Sequence, residues 1–282
     1  MLSVIAMLFV LVGIQPEKPK DATATPARIE SSRGELVRRE WMMGDTKRVA
    51  SVWMPAQTIE GPRPVVFAFH GHGGSAKSAS KNFGYHEIWP EAICVYMEGL
   101  PTKGITDPEG KKNGWQKQTG EYEDRDLKFF DTVLESLRTE GRMDPARVYV
   151  TGHSNGGGFT YLLWAVRDDV FAAVAPSAGG GLRHAGKIKP LPAIHIAGKK
   201  DKLVSFMLQS KMMQRVRELN GCKGEGKLRK DGCREYVSSS GNPCVEYVFD
   251  GGHEFPNEAP EMIVAFFKQH ARKVAEPSEP KE

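Results

Sequence analysis

Gly152-His153-Ser154-Asn155-Gly156 sets a serine between glycines two residues away on either side. That spacing can present a hydroxyl on a sharp strand-to-helix turn. A serine hydroxyl is a poor nucleophile at neutral pH and needs an adjacent base, itself held by a third group. The chain offers eight histidines for the base. His70 and His72 precede the serine, His195 lies within an apolar run and His270 near the end of an amphipathic stretch. His253 follows an apolar run through Asp250-Gly251-Gly252, a flexible turn that suits an imidazole delivered to the edge of a sheet. The acid should lie between the two in the chain. Asp201 follows Ala193 to Ala197 through Gly198-Lys199-Lys200, whereas Asp168 and Asp169 fall at the wrong end of the helix after the serine. Asp231 has no strand feeding it, and Asp250 is too near His253 to reach around it. Ser154, Asp201 and His253 together would carry out acyl transfer. The backbone N–H groups of Asn155 and of His72, with Gly73 the alternative for the second, would hold the oxyanion.

These residues need strands to bring them to one edge. Glu35 to Met43 and Lys47 to Met54 read as a hairpin about Gly44-Asp45. Val65 to Phe69, Ala92 to Met97, Val148 to Val150, Phe171 to Ala175, Ala193 to Ala197 and Val245 to Phe249 are apolar runs of the kind buried in a parallel sheet. Between them, helices are expected over Ala76 towards Trp89, Glu123 to Thr139, from Phe159, Ser205 to Leu219, and Ala259 to Lys273. Acids in the first turn of the second of these would suit its dipole. The alternation predicts an α/β fold with a mostly parallel central sheet, an antiparallel N-terminal hairpin, helices on both faces and no lid domain. Ligands in such sheets bind beyond the carboxyl ends of the strands. Gly99 to Tyr122, long and aperiodic, reads as a functional loop.

At 282 residues the chain suits one large domain, expected over 31–275. The net charge of +4 leaves no nucleic-acid footprint. Lys and Arg outnumber acids between Arg183 and Arg234, which reads as a solvated basic face sooner than as a surface for acidic substrates. Residues 1–14 form a signal-like apolar segment, too short to span a bilayer comfortably, which needs about 20 residues. They point to a secreted or periplasmic protein, with 15–30 a disordered linker and 276–282 a disordered tail. Gly71 to Ser78 comes close to a phosphate-binding loop, but Ala76 replaces its second glycine. The cysteines at 94, 222, 233 and 244 lack the short paired spacing of a zinc site, and Cys94 and Cys244 read as packed thiols.

Four blocks then resemble one group: His70-Gly71-His72-Gly73-Gly74, Gly152 to Gly157, Gly198-Lys199-Lys200-Asp201-Lys202-Leu203-Val204, and Gly251-Gly252-His253-Glu254-Phe255-Pro256. They look like the secreted polyhydroxybutyrate depolymerases, feruloyl esterases and acetylxylan esterases of the α/β-hydrolase fold, and the order serine, acid, histidine is the one that fold uses. The resemblance covers about Pro64 to Phe267 and implies a serine carboxylic-ester hydrolase with Ser154, Asp201 and His253 catalytic and His72 at the oxyanion. It implies no metal or cofactor, an ester substrate linked to polysaccharide or polyester, and no stable protein partner. Feruloyl or acetyl esters of plant polysaccharide come first, polyhydroxyalkanoate next; a non-catalytic binding protein of the same fold is the alternative from another class. The group often carries cysteine where His72 stands and tryptophan where Phe255 stands, which bears on specificity. Trp115 and Phe255 are candidate substrate contacts, and a Cys222–Cys233 disulfide is expected by the same resemblance, with Cys233–Cys244 its rival.

Overall fold

The computed structural model describes residues 34–273; the apolar segment 1–14, the linker 15–30 and the tail 276–282 lie outside the described residues. The strands are β1 (Glu35–Met43), β2 (Thr46–Met54), β3 (Arg63–Phe69), β4 (Ile93–Met97), β5 (Leu100–Pro101), β6 (Asn113–Gly114), β7 (Met143–His153), β8 (Ala173–Ser177), β9 (Ala193–Gly198), β10 (Lys227–Leu228), β11 (Arg234–Tyr236) and β12 (Cys244–Phe249). The α-helices are α1 (Ala76–Phe83), α2 (Tyr85–Ile88), α3 (Arg125–Thr139), α4 (Asn155–Val166), α5 (Phe206–Leu219) and α6 (Ala259–Phe267). One sheet runs in the order β1-β2-β4-β3-β7-β8-β9-β12-β11-β10, while β5 and β6 pair separately. Its centre, β4 to β12, is parallel; β1 and β2 at one edge and β11 and β10 at the other are antiparallel. The second antiparallel edge has no counterpart in the hydrophobic pattern, because strands of two and three residues are too short to show a period.

Alternation splits the core between the two faces of the sheet. Val65, Phe67 and Phe69 join one cluster with Val148 and Val150, under α3, α4 and α5. Val66, Ala68 and Tyr149 join the other, under α1, α2 and α6. The helix expected over Ala76 to Trp89 is two helices broken at Gly84, whose φ of 55° lies in the left-handed region. The last helix stops at Phe267, short of Lys273, where Lys268 caps it.

The start of α3 differs from the dipole account. Tyr122, Glu123 and Asp124 all adopt left-handed φ and form a turn ahead of the helix. Asp126 is fully buried against Arg48, whose guanidinium also donates to the carbonyls of Glu98 and Arg125. The acid therefore serves a buried ion pair.

The cysteines are all free thiols, which corrects the expected Cys222–Cys233 bridge. Cys233 faces α6, with its sulfur 3.6 Å from Met262 Sδ. Cys222 faces the opposite cluster beside Cys244 and 3.5 Å from the Tyr236 carbonyl oxygen. The sheet edge separates Cys233 from both of the others, which removes the rival Cys233–Cys244 pairing too. No helix of the described residues is long and apolar enough to cross a membrane.

His195 is the costly residue of the core. It is buried in β9 with both ring nitrogens unpartnered among the described residues, stacked on Tyr161 and in register with Glu246. Burial, with Arg217 nearby, pushes its pKa down to about 3. An unfolded histidine titrates near 6.5. As pH falls below 6.5 the unfolded chain gains a proton that the folded chain refuses until about pH 3, so stability is lost across that window. Glu246, raised by burial, opposes the trend. The loss should reach roughly 1–2 kcal/mol by pH 5. In His195→Leu the urea midpoint should fall less steeply between pH 7 and 5 than in the parent chain; equal slopes would exclude this histidine as the source.

Candidate active site

Four strands deliver the site. β3 ends at the loop of His70 and His72, β7 at Ser154, β9 at Asp201 and β12 at His253, all at their carboxyl ends. Ser154 sits between β7 and α4 with φ 58° and ψ −118°, a conformation that costs a non-glycine residue about 1–3 kcal/mol. Glycines make the turn possible. A Cβ on Gly152 would lie 2.5 Å from Gly156 C, and one on Gly156 would strike the carbonyl oxygen of Phe69. Gly157 is packed equally tightly on Ser177 O, whereas Gly158 has room and lines the cavity instead. The Ser154 N–H donates to Ser177 O at 2.9 Å, which ties the elbow to β8.

The three chemically significant side chains, remote in sequence, form one hydrogen-bonded chain. Ser154 Oγ lies 2.6 Å from His253 Nε2, and His253 Nδ1 lies 2.8 Å from Asp201 Oδ2. With the Nδ1 proton donated to Asp201, Nε2 is left to accept the serine proton. Asp201 is buried, and Oδ1 accepts from the N–H groups of Leu203 and Val204, each at 2.9 Å. Gln209 Nε2 donates to Oδ2, also at 2.9 Å. Burial alone would raise the carboxyl; the bonds from His253, Val204 and Leu203 outweigh it and hold the group below the usual range.

His72 and Asn155, the residues expected to supply the oxyanion donors, both border the cavity in front of Ser154. Gly71 packs against Ser154, since a Cβ on it would be 3.4 Å from the serine Cβ. The Asn155 N–H is the first of α4 and has no acceptor within its helix. The His72 N–H has no acceptor among the described residues, while Gly73 N–H is taken by Asn113 O at 2.7 Å. Gly74 N–H bonds Gly71 O, and Ser78 Oγ is engaged in the capping box with Ser75 at the start of α1. The Gly73 and Gly74 amides and the Ser78 hydroxyl, which a phosphate would need, are therefore spent.

Several residues escaped sequence reasoning. His153 Nε2 lies 2.9 Å from the carbonyl oxygen of His253 and its Nδ1 3.1 Å from Ser177 Oγ. Burial and the neighbouring His253 push His153 down to about 4, so a neutral ring with its proton on Nε2 holds the loop of His253. Gln209 and Ser177 carry no motif of their own. His153 had one available signal, its place inside the elbow. His70 locks its own loop: Nδ1 is 2.7 Å from Gly71 O and Nε2 accepts the Gly99 N–H at 3.0 Å.

Neither candidate substrate contact reaches the cavity. Trp115 is wholly buried, edge-on to Phe69 and stacked on Phe159, with its Nε1–H donated to His70 O at 2.9 Å. An indole so satisfied pins its own loop. Asn155 completes that clamp, accepting from Trp115 N–H at 2.7 Å and donating to Trp115 O at 3.1 Å. Phe255 packs on Phe83 and His153, behind the imidazole. The cavity in front of Ser154, about 340 Å³, is walled instead by the loop residues Gly104, Ile105, Thr106, Gln116 and Lys117 and by Arg183, Leu203, Val204 and Leu208. Ile105, Leu203 and Leu208 are exposed apolar residues at its rim.

Comparison with known proteins finds esterases among its relatives. Residues 109–180, which include Ser154 and a minority of the chain, match the prolyl oligopeptidase family. A probable feruloyl esterase C of Aspergillus clavatus is 26% identical over 201 residues, 67% of this chain and 69% of that protein. The putative esterase NocK of Nocardia uniformis is 26% identical over 225 residues, 73% of this chain and 64% of that one. Among solved structures, an acetyl xylan esterase from Aspergillus awamori superposes with a TM-score of 0.64 at 14% identity, over 82% of this chain and 99% of that one. A ferulic acid esterase gives 0.62 at 16% identity, over 84% and 99%. At such identities the structural likeness is one of fold, the α/β-hydrolase fold.

The loop that walls the cavity is fastened from beneath. Asp126 Oδ2 accepts the Gln116 N–H at 2.9 Å, while Gln116 Oε1 accepts the Asp126 N–H at 3.1 Å. Asp126→Leu would leave the Arg48 guanidinium buried without its counter-ion, and should cost about 3–5 kcal/mol in urea unfolding. A loss below about 1 kcal/mol would mean that the pair is not what anchors the loop.

Proposed function

We propose, proceeding from the chain's standing as an esterase of the α/β-hydrolase type, that it hydrolyses carboxylic esters through Ser154, His253 and Asp201. The observation that carries this reading is the unbroken chain of hydrogen bonds from Ser154 Oγ through His253 to Asp201. Ser154 Oγ attacks the ester carbonyl as its proton passes to His253 Nε2. The carbonyl oxygen, now negative, is held by the N–H groups of His72 and Asn155. Collapse breaks the bond to the alcohol oxygen, which takes the proton from Nε2 and departs, leaving an acyl-serine. Water then gives a proton to Nε2 and its oxygen to the acyl carbon; the acid leaves and Ser154 regains its hydrogen. Asp201 keeps the imidazole in the required tautomer and stabilises its cation.

For substrates, we infer feruloyl or acetyl esters of plant polysaccharide, met outside the cytoplasm by a chain exported through residues 1–14. The names of the relatives support the acyl groups, and the apolar rim of Ile105, Leu203 and Leu208 supports an aromatic or short acyl chain.

A fluorophosphonate probe should label the chain once, and Ser154→Ala should lose both the label and at least about 1,000-fold in ester turnover. Persistent labelling would remove Ser154 from the role. Across methyl ferulate, acetylated xylan and polyhydroxybutyrate, one of the first two should be turned over fastest; the reverse order would favour a polyester substrate.

A further inference from the structure

The charge lining the cavity is one-sided. Lys117 and Arg183 both border the space in front of Ser154, and no carboxylate borders it. They are brought to the same wall by His184, whose Nε2 lies 3.1 Å from the Lys117 carbonyl oxygen. Burial pushes His184 down to about 4, so the neutral ring donates this bond at working pH and leaves both cations in place. Arg183 also borders a second recess of about 200 Å³, which it shares with Lys187 and Gln118 and which again has no carboxylate. Two other basic residues of this surface are paired, Lys189 with Asp168 and Lys200 with Asp250. The Lys117 ammonium and the Arg183 guanidinium have no such partner among the described residues. Glu121 lies on the outer side of Lys117, where its carboxylate accepts the Lys117 backbone N–H rather than the ammonium.

We propose that Lys117 and Arg183 form an anion subsite that selects esters carrying a carboxylate, resting on the reading of Ser154, His253 and Asp201 as an esterase site. A carboxylate reaching the Arg183 wall can accept a forked pair of N–H bonds while Lys117 supplies a second charge. The apolar rim then holds the uncharged part of the substrate. Two sources supply the same chemistry: a dicarboxylic acyl chain, or an acidic group such as a uronate on the alcohol side.

Matched substrates separate them. Values of kcat/KM for 4-nitrophenyl hemiadipate against 4-nitrophenyl hexanoate read the acyl side. The pair 4-acetoxybenzoate against 4-acetoxybenzamide reads the alcohol side. The parent chain should prefer the anion in one of the two pairs. Arg183→Met and Lys117→Met should each lower that preference about threefold, and the double variant about tenfold, with the residual preference no longer sensitive to salt. A preference unchanged in the double variant, or absent from both pairs, overturns the proposal. Calorimetric titration of Ser154→Ala with adipate reads the subsite without any chemistry. Binding should weaken by the same factor when Lys117→Met and Arg183→Met are added, and equal binding would overturn the subsite. Binding that behaves as expected beside an absence of ester turnover would instead sink the esterase reading and leave the subsite standing.

Discussion

The structure depends on three backbones meeting at one point without side chains between them. Ser154 holds a conformation that its own backbone resists, and it does so because β7, α4 and the end of β3 close around Gly152 and Gly156. The strain is borne by the sheet on either side: β3 and β8 flank β7, and Ser177 of β8 accepts the serine N–H. A methyl group at either glycine would part the strand from the helix. Everything that gives the hydroxyl its surroundings follows from that closeness, including the passage of the His70–His72 loop beside it and the start of α4 behind it.

The second requirement is that two further loops arrive at the same edge. β9 and β12 are adjacent and parallel, so the segments after them leave side by side. Gly198 again has no space for a Cβ, because the Gly251–Gly252 backbone crosses it. Asp201 is then fixed by four donors, and His253, besides its bond to Ser154, by its ring to the carboxylate and its carbonyl to His153. His153 can serve in this way because burial keeps it neutral; a second charged imidazole beside His253 would compete for the same carboxylate.

The long loop between β4 and α3 is rigid at its base and open at its rim. Arg48 and Asp126 lie beneath it, Trp115 is sealed within it, and Asn155 grips its backbone. Such a buried ion pair adds little net stability against an apolar substitute, since desolvation offsets the attraction. Its effect is on position. The loop's apolar and cationic residues face the cavity because its other groups have been satisfied below.

Much of this was legible beforehand, for reasons of periodicity and spacing. Mostly apolar segments of five to seven residues in β3, β4, β9 and β12 declare a buried parallel sheet, and glycines at fixed offsets declare the elbow. Chain order and loop position were enough to single out Ser154, Asp201 and His253 as the residues to bring together. What tertiary structure alone decided were the properties that depend on burial and facing. Trp115 and Phe255 are aromatic residues near the right loops, yet only packing determines whether such a ring meets substrate or core. Cys222 and Cys233 are close in sequence but sit on opposite faces of a short strand that no pattern announced. His153, Gln209 and Ser177 work through single hydrogen bonds to residues distant in the chain. Local sequence carries the period of a strand and the sharpness of a turn because neighbouring residues produce them, whereas a cavity wall or an ion pair is made by segments that meet only after the chain has folded.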